Sequence, residues 1–341
     1  MEPFKFNSKK EYDVVLIGRV AIDFNPVDTN KPLEESTTFK KYLGGSPANI
    51  AVGLSKLNKK VGFIGKVSKD QFGNFVTDFF KKRNIDTSNI VVDEGKSSLG
   101  LTFTEIKSSK ESSILMYRND ASDLHLSPED VNEDYIKNSK ILVLSGTALA
   151  RSPSREAALV ALQYAKKNNV VVIFDIDHRN YTWNSKYDMA VYYSIVGKQS
   201  DIILGSREEF TLMESLILPN NNDDKISSKL WHTFGNKIIV IKHGKDGSVV
   251  STACGERIKI KPIPIKLLKS FGGGDGYASF FIYGLLEKMN IKDIMFYSSA
   301  SASMLVSAHS CSEAMPTFED IQNFIDEQLK SGLDREALYD N

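Results

Sequence analysis

The sequence predicts an α/β protein built in three layers, a parallel sheet with helices packed on both faces. Two observations carry that prediction. Short β-branched, apolar runs recur along the chain, and longer stretches of helical spacing separate them. In chain order the strand candidates are residues 14–17, 61–64, 141–144, 170–174, 202–204 and 238–241. Runs this short and this uniformly apolar suit strands covered on both faces. Among the helix candidates, residues 47–57 start with Pro47 directly after Ser46, a favourable opening because proline has no N–H to leave unpaired. Residues 154–167 carry apolar side chains at helical spacing and run into Asn168-Asn169. Residues 276–286 and 294–306 are apolar and rich in small side chains, as expected of helices pressed against a sheet.

Two segments break the alternation. Residues 23–43 and 97–124 are richer in Thr, Ser, Glu and Lys. Within the second, residues 100–106 and 112–117 read as paired, half-exposed strands around a charged turn. They predict either a small accessory sheet or an ordinary edge hairpin, and the pattern alone leaves both open. Residues 152–153 and 220–224 read as loops, the latter as a mobile surface excursion. The polar end, residues 331–341, reads as frayed.

Composition narrows the function. The 341 residues are 41% hydrophobic and 25% charged, which excludes disordered and low-complexity classes. Lys plus Arg and Asp plus Glu each number 43, so the basic excess expected of a phosphate-neutralising nucleic-acid binder is absent. Two cysteines, Cys254 and Cys311, make no disulfide framework and no zinc-ligand pattern. No apolar run approaches the length needed to span a bilayer. The first residues are charged and lead into a strand rather than a signal core. The expectation is a reduced, cytoplasmic protein without membrane or nucleic-acid partners.

The strongest chemical signal is Lys269-Ser270-Phe271-Gly272-Gly273-Gly274-Asp275, ahead of an apolar helix. Three glycines let the backbone turn sharply and present its N–H groups. A helix N-terminus adds unpaired donors and the positive end of a dipole. Together they predict an anion hole for a phosphoryl group in transfer, with Asp275 at its rim as general base. The dipole is expected to favour the charged carboxylate and make it a weak base, which a loose phosphoryl-transfer transition state tolerates. A glycine-rich turn with Asp275 as a helix cap is the alternative on these residues alone. A second signal, Gly44-Gly45-Ser46-Pro47-Ala48-Asn49, opens another helix and suits sugar hydroxyls, but is unspecific by itself. The dinucleotide fingerprint and the P-loop are both absent, which disfavours an oxidoreductase.

With both motifs in place, in this order and about 230 residues apart, the chain resembles the ribokinase-type (phosphofructokinase-B) carbohydrate kinases over nearly its whole length. Residues 18–23, 39–49, 65–73, 175–183 and 309–316 resemble one sugar-acid subgroup of that family. The resemblance implies a ribokinase-like domain over residues 1–341, with a mostly parallel sheet flanked by helices. It implies that segments 23–43 and 97–124 form a small β-sheet lid, and a homodimer through that lid. It implies Mg²⁺- and ATP-dependent phosphorylation of the C6 hydroxyl of 5-dehydro-2-deoxygluconate, from inositol breakdown. 2-Keto-3-deoxygluconate, a neutral sugar such as fructose, or binding without turnover are the alternatives.

Carried over by position, Asp275 is the base and Gly272, Gly273 and Gly274 form the anion hole. Asp23, Gly45 and Asn49 become sugar ligands. Arg118 and Arg179 match positions that bind an acid-sugar carboxylate, a role that an arginine fork fits. Lys242, Gly244 and Gly247 match a stretch beside ATP. Ser206 and Glu209 match a motif whose Glu organises Mg²⁺ and its waters, with no direct protein ligand to the metal. Three departures stand out. Ser206 replaces an Asn. Lys269 stands where an Asp usually helps bind a monovalent cation, so its ammonium is expected to substitute for potassium. Phe280 stands where a small residue is usual and either crowds the helix or is absorbed.

The remaining residues read plainly. His125, His178, His232, His243 and His309 are scattered without metal spacing, His178 being the candidate to touch substrate. Tyr192–Tyr193 and Phe79–Phe80 read as packing. The Lys pairs at 40–41, 59–60, 81–82 and 166–167 read as solvated helix ends, and Cys311 as a small packed hydrophobe near the nucleotide. Thr182–Trp183 either lines the sugar pocket or packs behind Arg179.

Overall fold

The computed structural model describes all residues except 1–3, 29, 96, 109–110, 180–182, 270 and 341. Its strands are β1 (Tyr12–Ile17), β2 (Ala21–Pro26), β3 (Phe39–Gly44), β4 (Val61–Ser68), β5 (Ile85–Asp86), β6 (Ile90–Asp93), β7 (Gly100–Ile106), β8 (Ser112–Tyr117), β9 (Ser139–Ser145), β10 (Val171–Asp175), β11 (Ile202–Ser206), β12 (Ile238–Lys242), β13 (Ser248–Thr252), β14 (Arg257–Ile260) and β15 (Tyr339–Asp340). Its helices are α1 (Ser46–Lys56), α2 (Gln71–Lys81), α3 (Glu133–Lys137), α4 (Ser154–Lys167), α5 (Lys186–Gly197), α6 (Arg207–Glu214), α7 (Asp224–Thr233), α8 (Gly273–Leu286), α9 (Ile291–Val306) and α10 (Phe318–Lys330).

The large sheet runs β15-β14-β13-β12-β11-β10-β9-β1-β4-β5, with β6 also beside β4. All six expected runs lie in its parallel centre, β12 to β4. Period-2 alternation divides their side chains between two cores. Val14, Leu16, Ile141, Val143, Ile202 and Leu204 face α1, α8 and α9, while Val15, Ile17, Leu142, Leu144 and Ile203 face α4 and α5. An uninterrupted apolar run is what two buried faces require. The antiparallel strands β13, β14 and β15 finish one edge. The polar tail, expected to fray, therefore contributes a strand at 339–340; Asn341 lies outside the described residues.

The accessory segment is a separate four-stranded sheet, β3-β2-β7-β8, rather than an edge hairpin of the main one. Register puts Asp23, Tyr42, Thr102 and Met116 on one face, and Phe24, Phe103 and Leu115 on the other. The segment after α9 ties this sheet down. Tyr42 Oη donates to His309 Nδ1 at 2.9 Å, His309 Nε2 donates to Pro26 O at 2.8 Å, and Ser312 Oγ donates to Leu43 O at 2.8 Å.

Other expectations need correction. Residues 220–224 are anchored, not a free excursion: Asn221 Nδ2 donates to Glu214 Oε2 at 3.1 Å and to Ser227 Oγ at 2.9 Å, and Asp223 caps α7. Lys40 and Lys41 lie in β3, not at a helix end. Phe280 is absorbed: its fully buried ring stacks on Tyr297 with centroids 5.2 Å apart.

Candidate active site

The site forms where the parallel strands end, the edge at which open α/β sheets bind ligands. Two helices start there on glycines with positive φ. Gly45 (φ 98°) precedes α1, and Gly272 (φ 91°) precedes α8. A Cβ on Gly45 would meet the Arg19 carbonyl oxygen at 2.5 Å, and one on Gly272 the Cys311 sulfur at 2.5 Å.

Asp275 lies in the first turn of α8, and α1 holds it. Ser46 Oγ donates to Asp275 Oδ1 at 2.7 Å, and Asn49 Nδ2 donates to Oδ2 at 2.8 Å. The carboxylate therefore has a fixed plane. Its pKa lies above the ordinary Asp value, because burial and then the nearby Asp177 outweigh the Asn49 and Ser46 hydrogen bonds and the Arg179 charge. The helix dipole by itself would favour the charged carboxylate, and burial reverses that direction. The result is a stronger base than the sequence suggests.

Facing α8 is a set of charges at the strand ends. Lys242, the last residue of β12, puts Nζ 3.8 Å from Asp175 Oδ1 and next to Gly274. Burial opposes the Lys242 charge, but Asp175, Glu209, Asp275 and Asp177 together keep its pKa raised. Asp175, at the end of β10, is 4% exposed; burial pushes its pKa up to about 7 against the pull of Lys242. Ser46 Oγ lies 3.4 Å from Asp175 Oδ2, so one hydroxyl connects the two carboxylates. Asp175 Oδ1 and Asn49 Oδ1 are buried without a hydrogen-bond partner.

The α6 motif closes on itself. Ser206 Oγ accepts from the Glu209 amide at 3.2 Å, and Glu209 Oε2 accepts from the Ser206 amide at 2.6 Å, a capping box. Glu209 Oε1 also accepts from the His178 amide at 2.7 Å. Serine is a good helix cap, which accounts for Ser206 in physical terms. Gly244 and Gly247 form the β12–β13 turn, both with positive φ.

The family model for "pfkB family carbohydrate kinase" matches residues 12–318. The chain belongs to that family. Two curated relatives are named 5-dehydro-2-deoxygluconokinase. One, from Clostridium botulinum (strain Alaska E43 / Type E3), is 64% identical over 95% of this chain and 96% of its own. The other, from Bacillus subtilis (strain 168), is 51% identical over 95% and 99%. A solved structure titled as a putative Ribokinase II in complex with ATP and Mg²⁺, from E. coli, superposes with a TM-score of 0.82 at 20% identity. That alignment covers 93% of this chain and 99% of the other. At that identity the likeness shows the fold, a ribokinase-like one.

The structure gathers most of the expected kinase residues here: Asp275, Gly272–Gly274, Gly45, Asn49, Lys242, Glu209 and Ser206. Asp23 comes in from β2, so close to Gly44 that a Cβ there would meet its carboxylate at 2.0 Å. Arg179 pairs with Asp177 at 2.8 Å and donates to His178 O at 2.7 Å. Arg118 is 1% exposed; its guanidinium is engaged by Asp123 and donates to Thr147 O at 2.9 Å. Trp183 packs edge-on against Tyr193 at 5.2 Å, and Thr182 lies outside the described residues. Lys269 is fully buried under the glycine turn with Nζ 3.2 Å from Cys311 Sγ. Cys311 is a small buried side chain, as expected: burial pushes its thiol up to about 11 despite the neighbouring Lys269 and keeps it neutral.

Ser46, Asp175, Asp177 and Arg19 were not singled out as site residues from the sequence. Ser46 has a readable signal, a hydroxyl in the first turn of a Gly-Gly-led helix. The Asp175-Ile176-Asp177 pair sits at the end of an apolar run, where a parallel strand delivers side chains to a site. Arg19 has no comparable local signal.

Proposed function

We propose that this kinase transfers the γ-phosphoryl group of ATP to the C6 hydroxyl of 5-dehydro-2-deoxygluconate, with Asp275 as general base. The observation that carries the reading is the Asp275 carboxylate, fixed by Ser46 and Asn49 at the N-terminus of α8 and next to the glycine turn. The names and high identity of the curated relatives support the substrate.

Asp275 accepts the proton of the C6 hydroxyl as that oxygen attacks phosphorus. The raised pKa makes it a better acceptor. Amides of the glycine turn and the first turn of α8 hold the equatorial phosphoryl oxygens, and Lys242 adds positive charge beside Gly274. Asp23 on the small sheet orients the sugar hydroxyls, and the sheet itself acts as a lid. Gly244 and Gly247 shape the turn beside the nucleotide.

Among the described residues no group of three or more His, Cys, Asp or Glu is placed to hold a metal. Asp175 Oδ1, buried with no hydrogen-bond partner and with Lys242 Nζ 3.8 Å away, and the Glu209 carboxylate fit Mg²⁺ carried by ATP and its waters. Held in that way, Mg²⁺ would supply positive charge to offset that of the transferring phosphates. Lys269 supplies positive charge beneath the glycine turn in place of a monovalent cation. Phe103, Leu115 and Tyr117 leave an apolar patch on the outer face of the lid, Leu115 44% and Tyr117 57% exposed, which suits a second copy of the chain. Two unpaired cysteines, Cys254 and Cys311, suit a reducing cytoplasm.

The test is MgATP-dependent ADP release with 5-dehydro-2-deoxygluconate, 2-keto-3-deoxygluconate, fructose and ribose. Preference for the first supports the reading. Preference for another keeps the kinase chemistry and overturns the substrate.

A further inference from the structure

Arg19, in the turn between β1 and β2, stands apart from the phosphoryl-transfer machinery. It is 4% exposed, yet no carboxylate among the described residues lies within ion-pairing distance of it. Its Nη1 donates to the Met116 sulfur at 3.4 Å, and its Nε has no hydrogen-bond partner. Burial first, then repulsion from Arg118 and Arg179, disfavours its charge; Asp177 and Asp23 oppose this without contact. A buried charge without a hydrogen-bonded counter-ion is costly, and a thioether is a weak acceptor.

The neighbouring arginines are in a different state. Arg118 is engaged by Asp123 and the Thr147 carbonyl, and Arg179 by Asp177 and the His178 carbonyl. Arg19 is thus the arginine of the three whose fork has no protein anion. A planar guanidinium of this kind fits a planar, two-oxygen anion. Phosphate is held elsewhere, at the α8 start beside Lys242. Arg19 lies on the other side of the α1 start, its carbonyl against Gly45 and its guanidinium against β8 of the lid.

We propose that Arg19, rather than Arg118, receives the carboxylate of the sugar acid and so sets the preference for an acid over a neutral sugar. The proposal rests on the sugar-acid reading above. The incoming carboxylate replaces the Met116 sulfur at Nη1 and pairs the vacant Nε, while the far end of the sugar reaches Asp275. Because Met116 belongs to the lid, seating the carboxylate also alters a contact the lid makes.

The experiment compares wild type with Arg19→Met, Arg19→Lys and Arg118→Met. Calorimetry reads binding of 5-dehydro-2-deoxygluconate, steady-state kinetics read turnover, and thermal melting reads stability. Methionine replaces the aliphatic stem of Arg19 and removes the guanidinium with its unpaired charge. Arg19→Met is expected to bind the acid about 30-fold more weakly or worse. KM for the acid rises accordingly, kcat falls less, KM for ATP does not move and Tm holds or rises. Arg19→Lys recovers part of the affinity, because it keeps the charge and loses the fork. Arg118→Met lowers Tm, because it strands Asp123 as a buried, unpaired carboxylate.

Wild-type affinity for the acid in Arg19→Met overturns the proposal. So does a fall in Tm together with a rise in KM for ATP, the mark of a structural role. Should wild type release no ADP yet bind the acid in an Arg19-dependent way, the kinase reading fails and Arg19 stands. Should wild type not bind the acid at all, the Arg19 assignment fails as well.

Discussion

The two glycine-led helix starts look alike in the sequence and do different work. At α1 the start is closed: Ser46, Pro47, Ala48 and Asn49 are all buried, and Ser46 Oγ and Asn49 Nδ2 donate to Asp275. At α8 the start is open: Gly272 and Gly273 are half-buried, and Gly274 is exposed. A Cβ on Gly45 would strike backbone at 2.5 Å, whereas one on Gly274 would meet only the Lys242 ammonium at 3.4 Å. Gly45 is thus required by the protein's own packing. Gly274 keeps room for something that arrives. One helix start positions a carboxylate with side chains, and the other offers bare amides to a ligand.

The largest effect should come from the residue where the two starts meet. Asp275→Asn keeps the shape and leaves no base, so kcat should fall about 10²- to 10⁴-fold. Binding of ATP, read by calorimetry, should survive. Retained turnover in this variant would remove Asp275 from the chemistry.

Next come the side chains of α1. Asn49→Ala removes a hydrogen bond to a charged group, a loss of about 1.5–3 kcal/mol, or roughly 10- to 150-fold in kcat/KM. The sign of the pH effect follows from the same bond. Asn49 and Ser46 both lower the Asp275 pKa against burial, so removing either raises it further. The base is active when deprotonated, so the acid limb of the kcat/KM profile should move to higher pH. Ser46→Ala should shift it the same way with a smaller loss in rate, since a hydroxyl contributes less fixed geometry than the Asn amide. An acid limb that stays in place in both variants would mean the profile reports another group, with Asp175 the first candidate.

How much of this was legible in sequence follows the same division. Strands β1, β4, β9, β10, β11 and β12 were readable because burial on both faces demands unbroken apolar runs. Helix α4 was readable to its ends, residues 154–167, from helical spacing and its lysine-asparagine finish. The glycine turn and Asp275 were readable because their chemistry is local. The direction of the Asp275 pKa was not, because it is set first by burial in the folded chain and then by Asp177, which lies just after β10 and nearly a hundred residues away. The state of the arginines was equally hidden. Arg118 looks free in Met116-Tyr117-Arg118, but Asp123, five residues on, folds back onto it in the turn after β8. Which guanidinium retains an open fork is a property of the tertiary structure alone.

The smallest expected effect sharpens the comparison at the α8 start. An open set of amides that binds phosphate gains from a positive charge beneath it, and Lys269 places one there as part of the chain. Its Nζ is fully buried, 3.2 Å from Cys311 Sγ and 5.1 Å from the centre of the Phe271 ring. A built-in ammonium cannot leave, so titrating potassium chloride against choline chloride at constant ionic strength should leave kcat/KM nearly flat. Lys269→Met removes that charge at similar side-chain length and should raise KM for ATP, with a smaller rise in KM for the sugar because the same ammonium favours the charged form of Asp23. Strong activation of the wild type by potassium would show that the loop still recruits an external ion, and Lys269 would then be a packing residue for the turn rather than its permanent cation.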